Sequence, residues 1–232
     1  MNIKVYLTVV FTCLSCLTMN AQMNEKDSVV IANEDSCHTE KIQSAIDACL
    51  LLANAAKSKD KETILKAKKA MEECNISFFG LLRNQNREEE KLEGHLVFNT
   101  AFADSLAEGK DPYKYSDKIH QTDLHRGQMR PGEIFTKTCF VKAKGKSVYT
   151  FTSFGPQELA VVAEHGGRVT TRVHAVNQAK GINEWHNDTV DVTKGRNSRK
   201  TAFHLPNKPG TKVTLEIINC TNKDITVVVI SN

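Results

Sequence analysis

The residue types best suited to ligand chemistry crowd into positions 181–197, where Glu184, Trp185, His186, Asn187, Asp188 and Asp191 lie close together. Trp185 is the only tryptophan in the 232-residue chain. An exposed indole stacks on the apolar face of a sugar ring while neighbouring carboxylates and amides accept hydroxyl hydrogen bonds, and Arg168, Arg172 and His174 just upstream add donors. The commoner use of a single tryptophan is burial in the core with its polar neighbours solvated. Both uses fit the sequence, and on the first of them the ligand-binding set is Trp185, Glu184, Asp188, Arg172 and His174. The acidic oxygens lack the regular spacing of a calcium loop.

The sulfur and imidazole groups point away from catalysis. Of the seven cysteines, Cys37, Cys49, Cys74, Cys139 and Cys220 lie beyond the first 21 residues, and no two of them have the close spacing of a zinc site. In an exported chain such cysteines form disulfides. One bridge in each half is the economical expectation: Cys139 with Cys220, and Cys74 with either Cys37 or Cys49. The eight histidines spell no HExxH, and no serine sits in a Gly-x-Ser-x-Gly turn. No catalytic residue, metal or cofactor is therefore expected.

Export is read from residues 1–21, a signal peptide with Lys4 as its positive start, an apolar run over 5–17 and Ala21 at the small-residue end. The run is shorter than the roughly 20 residues of a membrane span, so no transmembrane segment is expected once the leader is removed. A lipid on Cys16, preceded by Ser15, is the minority alternative, with Cys13 standing where a lipobox has Leu. The expected location is periplasm, surface or medium. Lys and Arg total 31 against 27 Asp and Glu, a balance of +4 that is too mild to argue for a nucleic-acid partner.

The elements that must position these groups change period along the chain. Residues 22–36 read as a polar, flexible lead-in with one short apolar run from Val29 to Ala32. Ile42, Ile46, Cys49, Leu50 and Ala53, then Ile64, Ala67, Met71 and Cys74, recur at three- and four-residue intervals on either side of Ser58, Lys59 and Asp60. That pattern is an antiparallel helix pair, with Asp60 as the cap of its second helix. A third helix is expected over 87–106, with Leu92, Leu96, Phe102 and Leu106 inward, completing a small bundle over 37–109. Residues 110–132 read as a connection.

From 133 to 232 the period becomes two. Strands are expected over 135–141, 147–154, 158–163, 169–176, 185–192, 200–205, 212–218 and 225–230, separated by turn residues and each with one buried face. The expected class is α+β, a helical bundle followed by an antiparallel, jelly-roll-like β-sandwich. The order Val148-Tyr149-Thr150-Phe151, Leu159-Ala160-Val161-Val162 and Val213-Thr214-Leu215-Glu216-Ile217-Ile218-Asn219, before Ile225 to Ile230, resembles the bacterial pre-peptidase C-terminal domain, over about the last 100 residues. That resemblance implies a small accessory sandwich with no catalytic residues. The function expected is non-catalytic binding of a carbohydrate or envelope component, or else assembly with a protein partner through helical and sheet surfaces.

Overall fold

The computed structural model describes residues 29–31, 40–85, 92–123, 133–153, 157–165, 168–191, 200–205 and 208–232. The leader, Cys16, Cys37 and most of the lead-in lie outside them. The fold is α+β, with a β-sandwich whose outer side on one sheet carries the helices.

The helix pair forms as its spacing requires. Helix α1 (Glu40–Ser58) buries Ile42, Ala45, Ile46, Cys49, Leu52, Ala53 and Ala56 along one stripe. Lys59 stops it in a left-handed conformation, φ 57°, with its amide on the Ala55 carbonyl. Asp60 then starts α2 (Lys61–Glu73), its side chain accepting the Thr63 amide at 2.8 Å. Helix α2 turns Ile64, Ala67 and Met71 onto α1 and leaves the pairs Glu62–Lys66 and Lys69–Glu73 in solvent.

Eleven strands among the described residues build the sandwich. They are β1 (Val29–Ile31), β2 (Ser77–Phe78), β3 (Arg83–Asn84), β4 (Phe135–Val141), β5 (Lys146–Thr152), β6 (Gln157–Ala163), β7 (Arg168–Asn177), β8 (Ile182–Asp191), β9 (Lys200–Leu205), β10 (Lys212–Asn219) and β11 (Ile225–Ser231). One sheet runs β1-β8-β7-β10-β5-β3 and the other β2-β4-β11-β6-β9. All eight strands expected after residue 133 are present, and the pairs are antiparallel except β1 with β8 and β2 with β4. Between the sheets lie Phe79, Phe135, Tyr149, Phe151, Leu159, Val161, Val173, Leu215 and Val229.

Two strands depart from the one-buried-face expectation. Every residue of β6 and of β11 is buried. Leu159, Val161, Val227 and Val229 face the sandwich core, while Ala160, Val162, Val228 and Ile230 face the helices and share one cluster with Ile42, Leu52 and Met71. The helices therefore form a third layer on the five-stranded sheet: α1 packs on β6 and β11, and α2 packs on α1. Burial of each such aliphatic side chain contributes about 1.5–3 kcal/mol.

Of the helix expected over 87–106, residues 87–91 lie outside the described residues and the rest is corrected to a much shorter helix, α3 (Thr100–Ala107). Residues 92–98 instead cross the outer side of the five-stranded sheet in non-helical form, with Leu92, Leu96, Val97 and Phe98 buried. Gly94 has φ 82°, and the amides of Leu92, Leu96 and Phe98 bond to Asp117, Glu164 and Thr138 side chains. Tertiary acceptors thus replace the helical ladder. Asn99 caps α3 through the Phe102 amide at 2.9 Å. The connection over 110–132 also holds structure: a 3-10 turn at Pro112–Tyr115 leads into α4 (Ser116–Asp123).

Candidate functional site

Strand pleat sorts the candidate residues between two faces. On β7, Val169, Thr171, Val173 and Ala175 point into the sandwich, so Arg172 and His174 stand on the solvated outer face. The register sets His174 beside Trp185 and Arg172 beside Asn187 on β8. Trp185 therefore shares that outer face. It is half-buried, and its indole lies parallel to the His174 imidazole, with centroids 3.9 Å apart and an 8° interplanar angle. His174 Nε2 is 2.7 Å from the Asn183 side-chain oxygen, which anchors the ring pair from the second side. Trp185 is not core.

Glu184 and Asp188 fall at the alternate positions of β8 and lie on the opposite face, with the buried His186. His186 Nε2 is 3.5 Å from the Glu184 carboxylate. The five-residue set is thereby corrected: Trp185, His174 and Arg172 come together, whereas Glu184 and Asp188 are removed from them by the pleat. In their place the neighbouring strands supply groups that sequence reasoning missed. Strand β10 puts Thr214 beside His174 and Glu216 beside Arg172, and Lys212 lies diagonal to His174. Strand β5 adds Thr150 and Val148, and β3 adds Arg83 next to Thr150.

Glu216 is the acid beside Arg172 on this surface. It accepts Lys146 Nζ at 3.0 Å and lies 4.0 Å from Arg172 Nη1. The alternation of Val213, Leu215 and Ile217 marks Thr214 and Glu216 as outward in the sequence, but nothing in it says that β10 lies between β7 and β5. The result is a solvated sheet face with one aromatic pair and a surround of amide, hydroxyl and charged groups.

The other polar clusters are used in holding the fold. Glu164 accepts the Thr226 amide at 3.1 Å and lies 2.8 Å from the Thr226 hydroxyl and 3.6 Å from His95 Nδ1. Burial pushes this carboxyl up, but His95 and Thr226 more than offset it and hold it below the usual carboxylate range. A cavity of about 460 Å³ opens on the helical side, lined in part by Lys41, Glu73, Cys74 and Glu133. Burial, followed by Glu73 and Asp47, raises the Cys74 thiol, so it is kept protonated and poorly nucleophilic. Among the described residues no group of His, Cys, Asp and Glu is placed to hold a metal ion, and no helix is long and apolar enough to cross a membrane.

No disulfide joins the described cysteines. Cys49, Cys74, Cys139 and Cys220 carry reduced thiols. Cys139 points into the sandwich core opposite Val227, whereas Cys220 lies past the end of β10 with its amide on the Arg168 carbonyl, so the expected Cys139–Cys220 bridge is not made. Burial, with Cys74 nearby, raises the Cys49 thiol strongly. Cys37 lies outside the described residues.

No protein-family model matches the chain, and no curated protein matches it. Solved structures overlap parts of it. The Yersinia pseudotuberculosis-derived mitogen is 14% identical over 43% of this chain and 85% of its own, with a TM-score of 0.32. A periplasmic inhibitor of g-type lysozyme from Aeromonas hydrophila is 10% identical over 46% of this chain and 91% of its own, at 0.30. TmCBM61, solved with β-1,4-galactotriose, is 10% identical over 47% and 72%, also at 0.30. Overlaps this partial carry no information about function.

Proposed function

We propose that this is an exported, non-catalytic binding protein that recognises a carbohydrate of the cell envelope or surroundings through the outer face of its six-stranded sheet. The observation that carries the reading is the placement of the single tryptophan. A protein with an available core has set its one indole on a solvated face instead, parallel to His174 and bordered by Arg172, Asn183 and Thr214. Aromatic rings offer a flat apolar surface to sugar C–H groups, and the bordering amides, hydroxyls and guanidinium suit the hydroxyl rim. The leader and the likeness of the strand rhythm to accessory domains of secreted enzymes belong to the same reading.

The alternative of a protein partner gripped by the helices has less behind it. Helix α1 spends its apolar stripe on the sheet and on α2, α2 spends its own on α1, and Leu65 is the one large apolar side chain they leave exposed. Titration of the mature protein with a panel of polysaccharides, followed by Trp185 fluorescence and calorimetry, tests the proposal. The expected result is a saturable change with at least one glycan and a loss of about tenfold or more in affinity for Trp185→Ala, with unchanged circular dichroism. Absence of binding across the panel, or equal binding by Trp185→Ala, overturns it.

A further inference from the structure

The charge carried by the outer sheet face narrows the ligand class. Four cationic side chains stand on that face by strand parity and register: Arg83 on β3, Lys146 on β5, Arg172 on β7 and Lys212 on β10. Against them the described side chains place one acid, Glu216, and it is already engaged by Lys146 at 3.0 Å and Arg172 at 4.0 Å. Arg168 is left out of this balance because the register pairs it with Asp191. The acids expected beside the indole, Glu184 and Asp188, occupy the other face. What remains around the rings is positive.

The cations are also placed where a ligand on the rings would meet them. Arg172 lies two residues from His174 along β7, about 7 Å away, and Lys212 sits diagonally across on β10, at about 7–8 Å. They flank the Trp185–His174 pair on both sides. The line Trp185, His174, Thr214, Thr150 and Arg83 crosses five adjacent strands, about 19 Å at the usual strand spacing. That is a track for a chain of sugars with a further cation at its far end. A neutral glycan offers these cations no charge partner beyond the single Glu216, and those it covers would lose hydration without compensation. An acidic glycan supplies carboxylate or sulfate oxygens to Arg172 and Lys212 while its ring C–H groups lie on the aromatic pair.

We infer that the ligand of this face is an acidic polysaccharide, carboxylated or sulfated, held by Arg172 and Lys212 on either side of the Trp185–His174 stack. The inference rests on the carbohydrate-binding reading above and specifies its ligand class. The test uses the mature protein with polygalacturonate and chondroitin sulfate as acidic probes, dextran and a neutral galactan as uncharged ones, and duplex DNA as a non-saccharide polyanion. Both acidic probes, or one of them, should bind at least about tenfold more tightly than the neutral pair, and the preference should shrink as salt rises to about 0.3 M. Arg172→Gln combined with Lys212→Gln should abolish the preference at an unchanged melting temperature, because both side chains are exposed.

Each outcome is decisive. Neutral glycans binding as tightly as acidic ones overturn the inference and leave the carbohydrate reading standing. Binding to none of the glycans overturns both. DNA bound as tightly as the acidic glycans, with Trp185→Ala unimpaired, shows general polyanion attraction and also overturns the inference.

Discussion

Glu164 offers the sharpest test of how the helical side is fastened to the sheet. Its carboxylate, 15% exposed, takes the Thr226 amide at 3.1 Å and the Leu96 amide at 3.4 Å, and it shares the Thr226 hydroxyl proton with the Leu96 carbonyl at 2.8 and 2.9 Å. It therefore joins the end of β6, the start of β11 and the crossing segment at 92–98. Glu164→Ala strands two amides, while the Thr226 hydroxyl keeps the Leu96 carbonyl as its acceptor. A buried donor left without an acceptor costs about 1–3 kcal/mol, and the partial exposure here selects the low end, about 2 kcal/mol in total. For a chain of this size that is a melting-temperature loss of about 4–8 °C. Glu164→Gln keeps one acceptor and should lose about half as much. Since the folded carboxyl lies below its unfolded value, the charge contributes stability above pH ~4.3 that disappears as pH falls through the folded value, and Glu164→Gln should lack that acid limb. Urea unfolding of the three proteins across pH 3–7 is the assay. A loss under about 1 kcal/mol for Glu164→Ala would refute the account of this residue as the fastening point.

His120 gives a second acid limb at higher pH. Burial first, then Lys137, outweigh Asp117 and push its ring down to about 4, so the unfolded chain takes up the proton more readily. Stability is full above pH ~6.5 and falls as pH drops toward 4, by roughly 3 kcal/mol at most, and His120→Phe should flatten that stretch of the curve in urea melts. Asn99 joins a cap to a tertiary bond, accepting the Phe102 amide at 2.9 Å and donating to the Ile119 carbonyl at 3.3 Å. Asn99→Ala should cost about 1–2 kcal/mol in denaturant titration, and Asn99→Asp, which keeps the acceptor, distinctly less.

Local signals were legible where one element carried its own pattern. The α1–α2 hairpin follows from the spacing of Ile42, Ile46, Ile64 and Met71 around a break whose Asp60 does cap. The strands after residue 133 follow from period two and turn chemistry, and β4 and β9 have the expected limits. The misses occurred where another part of the chain supplied the partners. Leu92 and Leu96 have helical spacing, but Asp117, Glu164 and Thr138 offered their neighbourhood's amides better acceptors in an extended path. The continuous apolar runs of β6 and β11 already carried the mark of strands buried on both faces, which alternation in Leu159, Val161 and Ala163 concealed.

The candidate site divides along the same line. By itself the sequence determined the residue types available, the single indole, and the rule that neighbours on a strand alternate between faces; applied to β8, that rule already parts Trp185 from Glu184 and Asp188. Only the tertiary structure decided which face was solvated and which strands lay side by side. Each β10 residue is 36 residues or more from its β7 partner in the chain, yet the sheet order β8-β7-β10-β5-β3 assembles Trp185, His174, Thr214, Thr150 and Arg83 into one line. Pairing of this kind is set by the packing of two whole sheets and a helical layer, a cooperative property that no local window of residues contains.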